Sequence, residues 1–145
     1  MIPPVSPYGL IQESLWPNEW LIIVSCMMLN CTKRKQVEPV MRKFISFWPT
    51  PDKFLLAELS EVEEVCRSLG FVNRRSAALM KMTHAYVNDD WTHASQLPGV
   101  GAYAPAAWEL FVKGIVRDDS PNDHALALYH KWRKHHVDSQ KISGK

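Results

Sequence analysis

The segment Trp20-Leu21-Ile22-Ile23-Val24-Ser25-Cys26-Met27-Met28 constrains the fold more than any other. Trp20, Ile23, Val24, Met27 and Met28 fall at i, i+3, i+4, i+7 and i+8, which is an apolar helical stripe. Leu21, Ile22 and Cys26 widen it around the helix. A helix apolar over so much of its circumference must be surrounded by other elements, so it is predicted to be central. No apolar run in the chain approaches the length of a membrane span. A chain of 145 residues, 46% hydrophobic and 22% charged, is long enough to bury one such core without staples.

The rest of the chain also reads as helices. Pro3, Pro4 and Pro7 keep the start extended, so residues 1–18 are read as an extended arm and the start of the domain. Residues 19–138 form the helical domain, and 139–145 a tail. A second helix is predicted over Lys33 to Phe47, with Val37, Val40, Met41 and Phe44 on one side, ended by Trp48-Pro49-Thr50-Pro51. Asp52 to Glu58 reads as a short helix. Ser60-Glu61-Val62-Glu63 reads as a capping box opening another, which Gly70 stops. Asn73 is expected to cap the next, with Ala77, Met80, Lys81 and His84 at helical spacing. Further helices are expected over Ala106 to Val112 and His124 to His136. No segment alternates as a strand would. The predicted class is all-α, with seven to nine short helices.

Candidate chemistry concentrates in the second half. In Leu97-Pro98-Gly99-Val100-Gly101, two glycines flank one apolar residue, which suits a tight hairpin between helices. Its backbone N–H groups, with those of a helix starting near Ala102 or Tyr103, form a site suited to phosphate. Alone, the segment is equally an ordinary helix–helix turn. Asp123 precedes the last helix, where a carboxylate is held ionised. That position serves a plain helix cap, or a charge aimed into a cleft. Tyr103 fits a core aromatic or a pocket wall. His130, His135 and His136 do not share one helical face and read as surface residues rather than metal ligands.

Cys26, Cys31 and Cys66 lack CxxC spacing, so they offer no disulfide framework, zinc site or four-cysteine iron–sulfur site. They point to a reducing, intracellular setting. The formal net charge is only +2. It conceals basic groups at Lys33, Arg34, Lys35, Arg42 and Lys43, at Arg74, Arg75 and Lys81, and at Lys131, Arg133 and Lys134. Acid collects between them at Asp52, Glu58, Glu61, Glu63 and Glu64. Such a split suits solvated faces or one phosphate-facing side.

These pieces together resemble the helix–hairpin–helix DNA glycosylase superfamily. The hairpin 97–101 followed by Asp123 carries the likeness, with Pro7-Tyr8-Gly9-Leu10-Ile11-Gln12-Glu13, Glu19-Trp20, Leu29-Asn30-Cys31-Thr32, Ser68-Leu69-Gly70-Phe71 and Ser120-Pro121-Asn122-Asp123-His124 with Tyr129-His130-Lys131-Trp132. Within the superfamily the chain is most similar to the catalytic domain of methyl-CpG-binding-domain thymine DNA glycosylases. The resemblance implies two helical lobes around a cleft, without an iron–sulfur cluster. It implies release of thymine or uracil opposite guanine from double-stranded DNA, by a monomer that needs no cofactor.

Residue roles follow the same resemblance. Asp123 matches the catalytic aspartate. Tyr103 stands where bifunctional relatives carry a Schiff-base lysine, which implies base release without strand cleavage. Gln12, Ile11 and Tyr103 match the base pocket. Phe71 matches the apolar wedge, and Asn30 and Cys31 the loop that fills the vacated space. Leu97, Pro98, Gly99, Val100 and Gly101 match the phosphate-binding hairpin, whose carbonyls hold a monovalent cation in relatives. Cys31 stands where near relatives carry arginine, a departure that bears on filling the vacated space and reading the opposite guanine. Ala102 and Ala125 replace basic residues common at their positions, thinning the phosphate contacts. The implied setting is the nucleus of a eukaryote or the cytoplasm of a bacterium, with no membrane partner. The same fold also serves glycosylases for other lesions, and a non-catalytic DNA-binding module would keep the hairpin alone.

Overall fold

The computed structural model describes residues 10–30, 32–101, 103–115 and 129–133. Cys31, Ala102, Asp123 and Ala125 lie outside them. Among the described residues the chain is helical and contains no strand. The helices are α1 (Ile11–Leu15), α2 (Glu19–Leu29), α3 (Arg34–Phe47), α4 (Pro51–Phe54), α5 (Leu59–Cys66), α6 (Val72–Asn88) and α7 (Tyr103–Trp108). Single 3-10 turns occupy Arg67–Leu69 and Ala94–Gln96, and a π turn continues α7 over Glu109–Lys113.

Helix α2 is the core element that its sequence predicts. Every residue from Trp20 to Met28 is buried. Asn18 caps its start, accepting the Leu21 N–H at 3.0 Å. Helices α3 to α6 form one group, with α3 and α6 on α2, α4 and α5 on α6, and α5 on α3. Helices α1 and α7 also pack on α2, and α7 leads into the π turn. The first group is pinned by the rings of Trp20, Phe44, Trp48 and Phe54, whose centroids lie 5.1–5.7 Å apart. Glu19 joins the groups, accepting from Tyr86 Oη at 2.9 Å and Trp108 Nε1 at 2.8 Å.

Several local expectations shift. Helical structure begins at Ile11, before the Glu19 start of the helical pattern, in a helix Ile11–Leu15 that buries Ile11 and Gln12. The capping box of α5 is made by Glu58, whose N–H donates to the Glu61 carboxylate at 2.9 Å, and Ser60 lies inside the helix. Asn73 likewise lies inside α6, which is entered through Phe71. Helix α6 buries Ser76, Leu79, Met82, Thr83 and Ala85, leaving Lys81 and His84 in solvent. Two hydroxyl residues on the buried face hide its periodicity; Thr83 accepts the Trp20 Nε1–H at 2.9 Å.

The last described stretch corrects two further expectations. Residues 129–133 are helical and pack on the π turn, with Phe111 and Tyr129 ring centroids 4.5 Å apart. His130 is buried rather than at the surface. Arg133 is also buried and donates to the Leu110 carbonyl, so it ties two helical segments together instead of facing a phosphate.

Candidate nucleic-acid interface and base pocket

The hairpin is held by its apolar residues and presents its backbone. Leu97 and Val100 are buried, whereas Pro98, Gly99 and Gly101 are exposed. Gly99 and Gly101 adopt φ of 74° and 71°, which L side chains rarely tolerate. Crowding adds to this requirement. A Cβ on Gly101 would lie 2.8 Å from Asn30 Nδ2, and one on Gly99 3.3 Å from Ala78 Cβ. Asn30 uses that space to donate its amide to the Val100 carbonyl at 3.3 Å. The carbonyl keeps a second lone pair, so the hairpin can still offer it to a cation. Pro105 falls in the first turn of α7, where its missing N–H breaks no helical bond.

Across a cleft from the hairpin stands Phe71. Its ring is 77% exposed, and its backbone is left-handed, with φ 47° and ψ 41°. Gly70 before it also has positive φ, at 76°. An aromatic residue in this conformation costs about 1–3 kcal/mol and gains no burial here. The cleft at its foot is about 390 Å³. Met27, Leu69 and Leu79 give it an apolar floor, and Asn30, Arg74 and Arg75 give it a polar rim. Phe71 and Asn30, which the resemblance pairs as wedge and loop, therefore border one depression; Cys31 lies outside the described residues.

Gln12 in α1 and Tyr103 at the start of α7, which are 91 residues apart in the chain, meet. Gln12 is almost completely buried. Its Nε2 donates to Tyr103 Oη at 3.2 Å and to Cys26 Sγ at 3.4 Å. Its Oε1 is buried with no partner among the described residues. A buried amide oxygen left this way costs about 1–3 kcal/mol unless a donor arrives. Ile11, also assigned to the pocket by resemblance, lies in the core beside Gln12.

Sequence reasoning missed two connections. Arg75 counts as basic surface by composition, yet its guanidinium donates to the carbonyls of Met28 at 2.8 Å and Asn30 at 2.7 Å, and to Thr32 Oγ1. His93 steadies the approach to the hairpin. Ser95 N–H donates to its Nδ1 at 3.1 Å, so its Nε2–H donates to Glu109 at 3.0 Å. The Arg75 partners and Glu109 leave no local signal, because they lie 16 or more positions away in the chain, whereas Ser95 is a local partner of His93. Of the remaining predicted basic groups, Arg74 and Lys81 are exposed near this side of α6, whereas Arg34 pairs with Glu38. Cys66 borders the cleft as an inert thiol, since burial pushes it up to about 11 and Arg75 only partly opposes that.

Comparisons with known proteins bear on the family and the fold. The sequence profile of the HhH-GPD superfamily base excision DNA repair proteins matches residues 24–140. The "Methyl-CpG-binding domain protein 4-like protein" of Arabidopsis thaliana is 33% identical over 128 residues, covering 88% of this chain and 29% of that protein. A "Thymine/uracil-DNA glycosylase" of Pyrobaculum aerophilum is 29% identical over 94 residues, covering 60% of this chain and 41% of that protein. The chain thus spans less than half the length of these curated relatives. Two solved structures share the fold. A thermostable thymine-DNA glycosylase superposes with a TM-score of 0.63 at 23% identity, over 68% of this chain and 48% of the other. A trapped endonuclease III–DNA covalent intermediate gives 0.65 at 17% identity, over 74% and 53%. By its sequence, and with a fold that agrees, the chain belongs to the HhH-GPD superfamily of base excision DNA repair proteins.

Proposed function

We propose that this domain is a monofunctional DNA N-glycosylase that removes thymine or uracil opposite guanine. The observation that carries the reading is the buried Gln12 amide, which pairs with Tyr103 and whose Oε1 has no partner among the described residues. Thymine and uracil offer an N3–H donor, whereas cytosine offers an acceptor at N3. A fixed acceptor at the pocket therefore favours the deaminated bases and penalises the normal one. The name of the Pyrobaculum aerophilum relative, a thymine/uracil-DNA glycosylase, supports the same substrate class.

The glycosidic bond is inaccessible inside a duplex, so the nucleotide must leave the stack, at lowest cost from a mismatch. Phe71 is the wedge that enters the stack, and Asn30 with Cys31 borders the vacated space. The 97–101 hairpin holds a backbone phosphate through its N–H groups. As the bond to the base stretches, the sugar gains positive charge, which ionised Asp123 stabilises while directing water to C1′. Tyr103 has no amine, so no Schiff base forms and the product is an intact strand with an abasic site. The enzyme acts as a monomer without a cofactor, wherever the genome lies.

Single-turnover release of base from G·T, G·U and alkylated-purine duplexes tests the assignment. Asp123→Asn is expected to keep duplex affinity while slowing release at least about a hundredfold. Undiminished release by that variant would exclude the mechanism. Preferential release of an alkylated purine would exclude the substrate.

A further inference from the structure

Arg75 sits one helical turn after Phe71, and its N–H donates to the Phe71 carbonyl at 2.9 Å. Its side chain reaches away from α6 to the end of α2. There it takes the carbonyls of Met28 and Asn30 and the hydroxyl of Thr32. Helix ends leave carbonyls without intrahelical partners, and a cation at a C-terminus also meets the favourable end of the dipole. Capping alone would account for the Met28 contact. It accounts equally for the carbonyl of the C-cap Asn30, but not for the Thr32 hydroxyl two residues further on. The loop is held from the other side too, because the Asn30 amide donates to Val100 of the hairpin. Hairpin, loop and wedge helix are thus joined by consecutive hydrogen bonds through Asn30 and Arg75.

We propose that Arg75 is a positioning residue that fixes the Asn30–Thr32 loop at a set distance from Phe71, so that the two enter the duplex as one unit. This rests on the reading of Phe71 and the loop as the elements that open DNA. A planar guanidinium can span several acceptors on different residues, whereas an ammonium is a point charge that satisfies them less well together. Arg75→Lys therefore keeps the charge and loosens the spacing. Duplex opening should suffer, whereas action on a base already free of a duplex should not.

The test follows 2-aminopurine fluorescence beside a G·T mismatch in the Asp123→Asn background, which reads stack opening without chemistry. In parallel, single-turnover release is measured on G·U duplex and on single-stranded uracil DNA, with otherwise native protein. Arg75→Lys is expected to lower opening and duplex release by about tenfold or more, as expected for a small misplacement of a positioned group. Single-stranded release should stay within about twofold. Thr32→Val, which removes one acceptor and keeps the shape, should give a smaller loss in the same direction. Adding Arg75→Lys to Phe71→Ala should cost little beyond Phe71→Ala alone, because coupled residues are non-additive.

Equal losses on duplex and single strand would show that Arg75 only supports the fold, and would overturn the inference. Undiminished opening in both Arg75→Lys and Thr32→Val would overturn it as well. If Arg75→Lys does not fold, Thr32→Val decides by the same readings. A native-like protein that opens the mismatch but releases no base defeats the glycosylase reading and leaves the Arg75 result standing. One that never opens the duplex defeats both.

Discussion

Phe71 is explained by what it does not do. It is a large apolar side chain in solvent and on a strained backbone, so it stabilises the isolated domain in neither respect. Phe71→Gly is accordingly expected to leave thermal stability unchanged or to raise it by up to about 1 kcal/mol. A loss above that in a melting experiment would show the ring packed. The same position should be costly for function: Phe71→Ala should slow release from G·T duplex more than from single-stranded uracil. Composition alone would have placed this phenylalanine in the core, and only the resemblance picked it out. Arg75 and Arg133 show the reverse case. Both look like solvated charges in the sequence, yet both spend their guanidinium groups on backbone carbonyls of other helices. Nothing within a few residues of either reveals those partners.

At the scale of elements, the central helix was legible because its burial is nearly complete and its residues are almost all apolar. Helix α6 was legible as a helix but not in its facing. Its buried side includes Ser76 and Thr83, so apolar periodicity points to the neighbouring stripe instead. The caps were found approximately: Glu58 and Glu61 do at α5 what Ser60 was expected to do. The hairpin was legible as a tight turn, since two glycines around a valine suit one, but its sequence left open whether it holds phosphate or only joins helices. Gly101→Ala tests it. The new methyl would meet Asn30 Nδ2 at 2.8 Å, at a residue with φ of 71°. A loss of about 1–3 kcal/mol in thermal or denaturant unfolding is expected from strain and the displaced amide. Duplex affinity should fall with it, more steeply than in an equally destabilised core variant. Equal effects would make the hairpin only a structural turn.

At the scale of the whole molecule, three described groups, Cys66, Tyr86 and Tyr129, link stability to alkaline pH through their burial. Burial pushes the Cys66 thiol up to about 11 from 9.0. Burial also pushes Tyr129 up to about 12 from 10.0, with Arg133 lowering it and Glu13 raising it further. Tyr86 moves upward as well, through burial and its bond to Glu19. In each case the folded chain holds its proton more tightly than the unfolded chain. Their stabilisation is therefore complete below about pH 9 and is lost as pH rises through the folded values. Melting midpoints should be flat from pH 7 to 8.5 and fall steadily from pH 9 to 11; a flat profile to pH 11 would refute this. By itself the sequence determined the helical class, the central helix, the hairpin and the family, because these depend on local periodicity, backbone-permissive glycines and ordered motifs. Only the tertiary structure decided that Gln12 meets Tyr103, that α1 joins the core, and that Arg75 binds the loop beside the wedge. Those contacts join residues dozens of positions apart, and hydrogen-bond partners at such separations are chosen by how helices pack.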